Sequence, residues 1–304
     1  MITQAIDEHT ITDAALDQMS TTKDARLKEI LDSAVRHLHA FAREVDLKPE
    51  EWLEGIKFLT AVGHWCSEYR QEFILLSDTL GLSALVDLMN DRRISDGGTT
   101  SSLLGPFYRT DAPQYELGQF IGTHEHGGTE ICIYGRITDV DGHAVPNAKI
   151  EIWQTDEEGV YDLQKNRPED MDMRGVYHAD AEGNYCIRTL RPLGYLIPLD
   201  GPVGDMIRAQ GRHGFRPAHV HFMIGAPGHR ELVTALYMGN DDHIDSDTVF
   251  GVRGPLITET KQDPSSPFPN LPSVRFDYTL GRAEGMSGRV GADPSQITSK
   301  AVSH

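Results

Sequence analysis

The sequence predicts an α+β protein: a helical N-terminal region followed by an antiparallel β-sandwich. Three observations lead there. Through roughly the first hundred residues, apolar side chains recur at the 3.6-residue period of a helix face. Beyond residue 130 they alternate with period two. The strands follow the helices in a block instead of alternating with them, which favours an antiparallel sheet over a parallel one.

The elements follow in order. From Asp24, a suitable N-cap, apolar residues fall at Leu27, Ile30, Leu31, Val35, Leu38, Phe41, Ala42 and Val45, the stripe of one helix. Pro49 suits a first helical position, and Trp52, Leu53, Ile56, Leu59, Val62 and Trp65 continue the stripe of a second. "EFILLSDTL" and, after Gly81, "LSALVDLMND" make a third and a fourth. These apolar stripes are expected to be buried against their own chain. The pattern then changes. "EICIYGRITDVDG" places Ile131, Ile133 and Ile137 on one face and stops at Asp141-Gly142; "AKIEIWQTD", "GNYCIRTL", "AHVHFMIG" and "ELVTALYM" repeat the alternation between Gly, Pro and Asp turns. The expected division is a helical region over 1–100, a sandwich over 101–281 and a loose tail over 282–304, where periodicity is lost.

Composition narrows the function. The 304 residues are 39% apolar and 24% charged, enough for a real core. With 28 basic against 46 acidic residues, the net charge of −18 repels a nucleic-acid backbone or an anionic membrane over most of the surface, so neither is an expected partner. Cys66, Cys132 and Cys186 form no paired spacing, which fits a reducing compartment. The opening "MITQAIDEHT" has no basic stretch leading into an apolar run, and the expected location is cytoplasmic.

One short stretch carries potential chemistry. In "RPAHVHF" (216–222), His219 and His221 stand two apart and share a strand face with Met223, while Val220, Phe222 and Ile224 share the other. The pair is either the polar face of an ordinary strand or half of a metal site. No HExxH motif and no cysteine pair completes it, but two tyrosines stand at turns, Tyr161 in "IEIWQTDEEGVYD" and Tyr195 in "LRPLGYLIPLDGPVG". A lone tyrosine at such a place is more often a packing residue with its hydroxyl hydrogen-bonded.

The segments "LGPFY" (104–108), "GRITDVDGHAVPNAKIEIWQTDEEGVYD" (135–162), "GNYCIRTLRPLGYLIPLDGPVG" (183–204), "GRHGFRPAHVHFMI" (211–224) and "HIDSDTVFGV" (243–252) resemble, in order, the intradiol ring-cleaving dioxygenases. The helical first hundred residues look like the linker and dimerisation domain of that family's catechol and hydroxyquinol branch. The resemblance implies that Tyr161, Tyr195, His219 and His221 hold one non-haem Fe(III) per chain. A hard trivalent ion favours anionic oxygen donors, which suits two phenolates. It further implies that an aromatic diol chelates the iron through both oxygens, and that Tyr195 leaves the metal to take one of the two protons. Cleavage by O2 then falls between the two hydroxylated carbons. Arg216, otherwise a surface charge at a strand entry, would face the ring and stabilise the negative charge developing there.

The resemblance also bears on the substrate. Catechol-cleaving relatives carry a glutamine on the strand after the histidines where this chain has Ala235, which puts a simple catechol assignment in doubt. Ile197 and Pro198 after the second tyrosine, and Leu75 and Asp78 in "LLSD", look more like the hydroxyquinol branch, with Leu104, Gly105, Pro106 and Phe107 as the opposite wall. Asp78 either accepts a hydrogen bond from a third ring hydroxyl or serves as a helix cap or solvent-facing acid. The leading expectation is a hydroxyquinol 1,2-dioxygenase giving 3-hydroxy-cis,cis-muconate or its tautomer maleylacetate; the second is a catechol or substituted-catechol 1,2-dioxygenase giving a cis,cis-muconate. The resemblance implies a homodimer through the N-terminal helices, with an apolar channel there able to hold lipid. Two rival classes remain: a non-enzymatic transthyretin-like binding sandwich, which has no need of both tyrosines, and a zinc hydrolase built on the two histidines, which leaves the tyrosines unexplained.

Overall fold

The computed structural model describes residues 6–93, 97–122, 126–165 and 170–283, the side chain of Arg93 excepted. Six helices lie among them: α1 (Ile11–Gln18), α2 (Ala25–Glu44), α3 (Pro49–His64), α4 (Glu72–Thr79), α5 (Leu82–Arg93) and α6 (Pro202–Ala209). The strands are β1 (Glu130–Asp139), β2 (Lys149–Trp153), β3 (Arg174–His178), β4 (Asn184–Leu190), β5 (Tyr195–Leu196), β6 (Phe215–Arg216), β7 (His219–Gly225), β8 (Leu232–Met238), β9 (Ile257–Thr258), β10 (Lys261–Gln262), β11 (Pro272–Arg275) and β12 (Tyr278–Leu280). The protein is thus a mixed helix and sheet structure, and the chain divides into two units, residues 1–61 and 62–304. The expected tail over 282–304 lies, beyond residue 283, outside the described residues.

Within the first unit, the Asp24 carboxylate accepts hydrogen bonds from the Arg26 and Leu27 amides at 2.8 and 3.0 Å and starts α2 where the sequence places it. The fate of its apolar stripe differs from the expectation of burial. No residue of α2 is buried, and Leu38 is 64% and Phe41 53% exposed. Periodicity reports an amphipathic helix; it does not say what covers the apolar face.

The second unit holds two five-stranded sheets. One runs β10-β11-β1-β12, with β4 on the other edge of β1; the other runs β3-β2-β7-β8-β9. Most pairings are antiparallel, as the hairpin-like spacing predicts, but β1 pairs parallel with β11 and β12, and β8 with β9. These three depart from the expectation because β9, β11 and β12 are only two to four residues long and carry too little alternation to register in the sequence. A single core takes Ile131, Ile133 and Ile137 from β1 and Val220, Phe222 and Ile224 from β7, all fully buried, so side chains from both sheets share it. That arrangement turns His219 and His221 to the opposite face of β7. Sequence patterning also passed over α6, which sits in a Gly- and Pro-rich stretch; Pro202 opens it and buried Glu72 of α4 accepts the Val203 amide at 3.1 Å.

Candidate active site

β7 lies between β2 and β8, and its register sets Trp153 opposite His221 on one side, with Tyr237 opposite His219 and Ala235 opposite His221 on the other. The Trp153 indole stacks on the His221 ring at 4.9 Å with planes 4° apart, which holds the imidazole in one orientation. His219 Nδ1 lies 2.7 Å from the Pro217 carbonyl, an acceptor only. Nδ1 therefore carries the proton and Nε2 is bare. The Nε2 atoms of His219 and His221 face each other at 3.1 Å.

The tyrosines come from turns. Tyr161 follows a turn in which Asp156 accepts the Glu158 and Val160 amides at 2.9 and 3.0 Å. Its neighbour Asp162 is gripped by Arg174, whose Nε donates to Oδ2 at 2.6 Å and whose Nη2 donates to Oδ1, while Nη1 reaches the Phe107 carbonyl at 3.1 Å. One buried guanidinium so ties the Tyr161 turn to Phe107, whose ring stacks on Tyr161 at 4.3 Å. Tyr195 stands in β5, paired directly with Arg216 of β6. The four rings touch in series: Tyr161 to Tyr195 at 5.5 Å, Tyr195 to His219 at 5.6 Å and His219 to His221 at 4.7 Å between centroids.

Electrostatics suit a bound cation. Burial lowers the pKa of both histidines well below 6.5, helped at His219 by the Arg216 charge and at His221 by His219 and then Arg216. Both are neutral imidazoles, the form that ligates metal. Burial raises the Tyr161 pKa well above 10, and Tyr195 is raised chiefly by burial as well. Burial outweighs the opposing charge of Arg216 at both, so neither phenol ionises without a further positive charge. The Tyr161 hydroxyl is buried with no hydrogen-bond partner of ordinary geometry, and it lies beside the phenol of Tyr195. Two imidazole nitrogens that share at most one proton, an orphaned phenol and a second phenol beside it fit a small, hard cation that takes all four as ligands. Among the described residues, the grouping of acids and imidazoles that could hold a metal is Asp139, Asp141 and His143; it lies at the turn after β1 and is partly or fully exposed.

Arg216 is 3% exposed and directs Nη1 to His219 Nε2 at 3.1 Å and to the Tyr195 hydroxyl at 3.5 Å. Beside this centre is a cleft of about 420 Å³, lined among others by Leu75, Pro106, Phe107 and Pro198. Of the other expected substrate-binding residues, Asp78, Leu104, Gly105, Ile197 and Arg216 are not part of its lining. Gly105 has φ +72, a left-handed conformation that favours glycine; a Cβ there would make only an ordinary contact, 3.6 to 3.7 Å, with the His221 ring. Asp78 is 4% exposed; burial raises its pKa, and the charge of Arg216 is close enough to oppose that. Burial removes the solvent-facing alternative for Asp78, and its position in the last turn of α4 removes an N-cap role.

Residues 24–98 match the catechol dioxygenase N terminus and residues 103–282 the dioxygenase family proper. The chain belongs to the intradiol ring-cleaving dioxygenases. The non-enzymatic binding sandwich is thereby set aside. Among relatives of this dioxygenase, 6-chlorohydroxyquinol 1,2-dioxygenase of Cupriavidus pinatubonensis is 48% identical over 91% of this chain and 98% of its own. Hydroxyquinol 1,2-dioxygenase of a Rhizobium species is 43% identical over 91% and 90%. The crystal structure of hydroxyquinol 1,2-dioxygenase from Pseudomonas putida superposes with a TM-score of 0.81 at 42% identity, covering 90% of this chain and 98% of that one. Catechol 1,2-dioxygenase of Acinetobacter radioresistens reaches the same TM-score at 26% identity, over 94% and 98%.

Several residues in and around the dioxygenase site escaped the sequence reading. Arg174 and Asp162 grip the Tyr161 turn, and Asp247, Tyr237 and Ser102 surround Arg216. A charged pair separated by twelve or thirty-one residues has no periodic signature. Only the quoted segment "HIDSDTVFGV" hinted at Asp247, and it did so by resemblance alone.

Proposed function

We propose that this dioxygenase cleaves hydroxyquinol, benzene-1,2,4-triol, between its adjacent hydroxylated carbons, with one Fe(III) per chain held by Tyr161, Tyr195, His219 and His221. The observation that carries the reading is the meeting of two buried phenols and two buried neutral imidazoles beside a buried guanidinium. A zinc hydrolase would leave both phenols without a task. Two phenolates offset most of the charge of Fe(III), and bound there the ion supplies a Lewis acid that draws electron density from a chelated diol and readies the ring for O2.

The chain's own residues do the rest. Tyr195, as the phenolate, takes one substrate proton on its oxygen and becomes the neutral phenol, with Arg216 beside it to hold the negative charge that the ring acquires. Leu75, Pro106, Phe107 and Pro198 supply the apolar walls, and Gly105 stands next to the His221 ring. Asp78 pairs with the third hydroxyl, the feature that separates hydroxyquinol from catechol. The names of the relatives with 43–48% identity support this branch. Catechol or a substituted catechol is the second reading, favoured by the catechol dioxygenases that share the fold.

The wider organisation belongs to the same proposal. Residues 1–100 act as a helical linker and dimerisation region and 101–281 as an antiparallel-type catalytic sandwich; the uncovered apolar stripe of α2 is the surface for a second copy, with room for lipid. Among the described residues no helix is long and apolar enough to cross a membrane, and a cytoplasmic setting is proposed with it.

Oxygen uptake with hydroxyquinol, catechol and substituted catechols, with products identified, tests the substrate. Hydroxyquinol is expected to be preferred, and Asp78→Asn to shrink its advantage over catechol by about tenfold or more, as loss of a buried polar partner does. The same variant should raise Tm at neutral pH: the folded-state pKa of Asp78 is raised, so stability falls as pH rises from the unfolded value towards the folded one, and the cost is complete above the folded value. A wild-type preference for catechol would overturn the branch assignment.

A further inference from the structure

The guanidinium of Arg216 is held on the edge away from the four proposed ligands. Nε donates to Asp247 Oδ1 at 3.2 Å and Nη2 to Oδ2 at 3.4 Å, which leaves Nη1 for His219 and Tyr195. Asp247 is aimed in turn by the backbone: Oδ1 accepts the Val249 amide at 3.3 Å and Oδ2 the Gly251 amide at 2.8 Å. Both side chains of the pair are 3% exposed, so neither swings out to water.

Gly251 is where the arrangement closes. A Cβ on it would stand 2.7 Å from the Tyr237 hydroxyl, 2.8 Å from Arg216 Nη2 and 3.1 Å from Asp247 Oδ2. Ser102 donates to the Gly251 carbonyl at 2.9 Å and so receives the Tyr237 hydroxyl, also at 2.9 Å, which pins the loop that carries Asp247 to β8. Ala235, opposite His221 on β8, is buried among apolar side chains and has no polar group to offer Arg216.

A buried ion pair is a poor device for stability, because desolvation cancels most of the attraction. Its two-point, side-on geometry does something else: it sets the plane of the guanidinium. We infer that Asp247 is a positioning residue, which holds Arg216 with Nη1 turned to the reacting ring, and that position 251 must be glycine for this clamp to close. The inference rests on the proposed charge-stabilising role of Arg216. Asp78 differs from Asp247 in that it acts on Arg216 only through space, while its side chain hydrogen-bonds Ser83.

The test uses full-length, iron-loaded protein and the variants Arg216→Ala, Asp247→Asn, Gly251→Ala and the Arg216→Ala/Asp247→Asn double, with iron content, visible absorption, Tm, kcat and KM measured for each. Asp247→Asn should keep its iron and its tyrosinate colour and lose about a hundredfold in kcat, close to the loss in Arg216→Ala, with KM changed far less. Because Asp247 acts through Arg216, the double variant should be no slower than Arg216→Ala. Gly251→Ala, which keeps both charges, should lose about tenfold through displacement alone. A kcat for Asp247→Asn near that of the wild type, or losses that multiply in the double variant, would overturn the clamp. If Asp247→Asn does not retain iron, Gly251→Ala decides: a folded, iron-replete protein with normal kcat overturns the inference. Absence of ring cleavage in the wild type would instead overturn the proposed function, so the two failures are distinguishable.

Discussion

The two halves of the site are built differently. His219 and His221 belong to a seven-residue strand in the middle of a sheet, where backbone ladders on both sides fix register and the Trp153 ring fixes an imidazole. Tyr161 stands just after a turn held by side-chain ion pairs and hydrogen bonds, and Tyr195 in a two-residue strand whose short ladder to β6 is supplemented by the Arg216 side chain. A strand places donors two residues apart on one face without further help. A turn has no such register, so charge takes its place.

The contrast can be broken or sharpened by substitution. The largest effect is expected where a proposed ligand is removed. His221→Ala should abolish iron binding and ring cleavage while the strand, held by its ladder, keeps the fold; Tyr161→Phe, which preserves the stacking on Phe107, should weaken and shift the visible tyrosinate absorption, leaving only the Tyr195 contribution, and lose activity. Metal analysis and a visible spectrum check both, and full iron with unchanged colour in either would show that the residue is no ligand.

Next comes the support of the tyrosine half. Arg174→Met removes the cation from buried Asp162 and should cost about 3–5 kcal/mol, or roughly 10 °C in Tm. The partner Arg109, 3.3 Å from the same carboxylate, limits that loss. Calorimetry would show it, and a Tm within about 2 °C of the wild type would mean that the ion pair is not what holds the turn.

The smallest effect concerns pH and separates the halves by sign. His126 lies between Glu157 at 2.8 Å and Asp172 at 3.2 Å, flanking the turn that leads to Tyr161. Burial works against the charged ring, but the hydrogen bonds to these carboxylates outweigh it, and its pKa lies above 6.5. Its stabilisation is complete below its unfolded value and disappears as pH rises through the raised folded value. The buried histidines of β7 behave oppositely: their lowered pKa values cost stability as pH falls below about 6.5, because the unfolded chain then takes up protons that the folded one refuses. The Tm deficit of His126→Asn relative to the wild type should therefore be largest on the acid side and fade above the raised pKa. A deficit that grows with pH would reverse this assignment.

The strongly periodic parts of the fold were legible without coordinates. The stripes of α2 to α5 and the alternation of β1, β2, β4, β7 and β8 are local patterns that bury or expose a whole face at once, and Asp24 and Pro49 mark helix starts by their own chemistry. Short strands such as β9 to β12 carry too few residues for a pattern, and α6 is masked by glycine and proline. At the site, co-facial histidines follow from spacing alone, whereas the two tyrosines, visible at turns, became ligand candidates only through resemblance.

Local sequence dictates the class of the strongly periodic segments and the orientation of His219 and His221, because side-chain direction along a helix or strand depends on neighbours a few residues away. What only the tertiary structure decided is convergence: that Tyr161, Tyr195 and the two histidines touch, that Arg174 ties one tyrosine turn to Phe107, and that Asp247 and Gly251 hold Arg216. Those contacts join residues far apart in the chain through charge and close packing, and no local period encodes them.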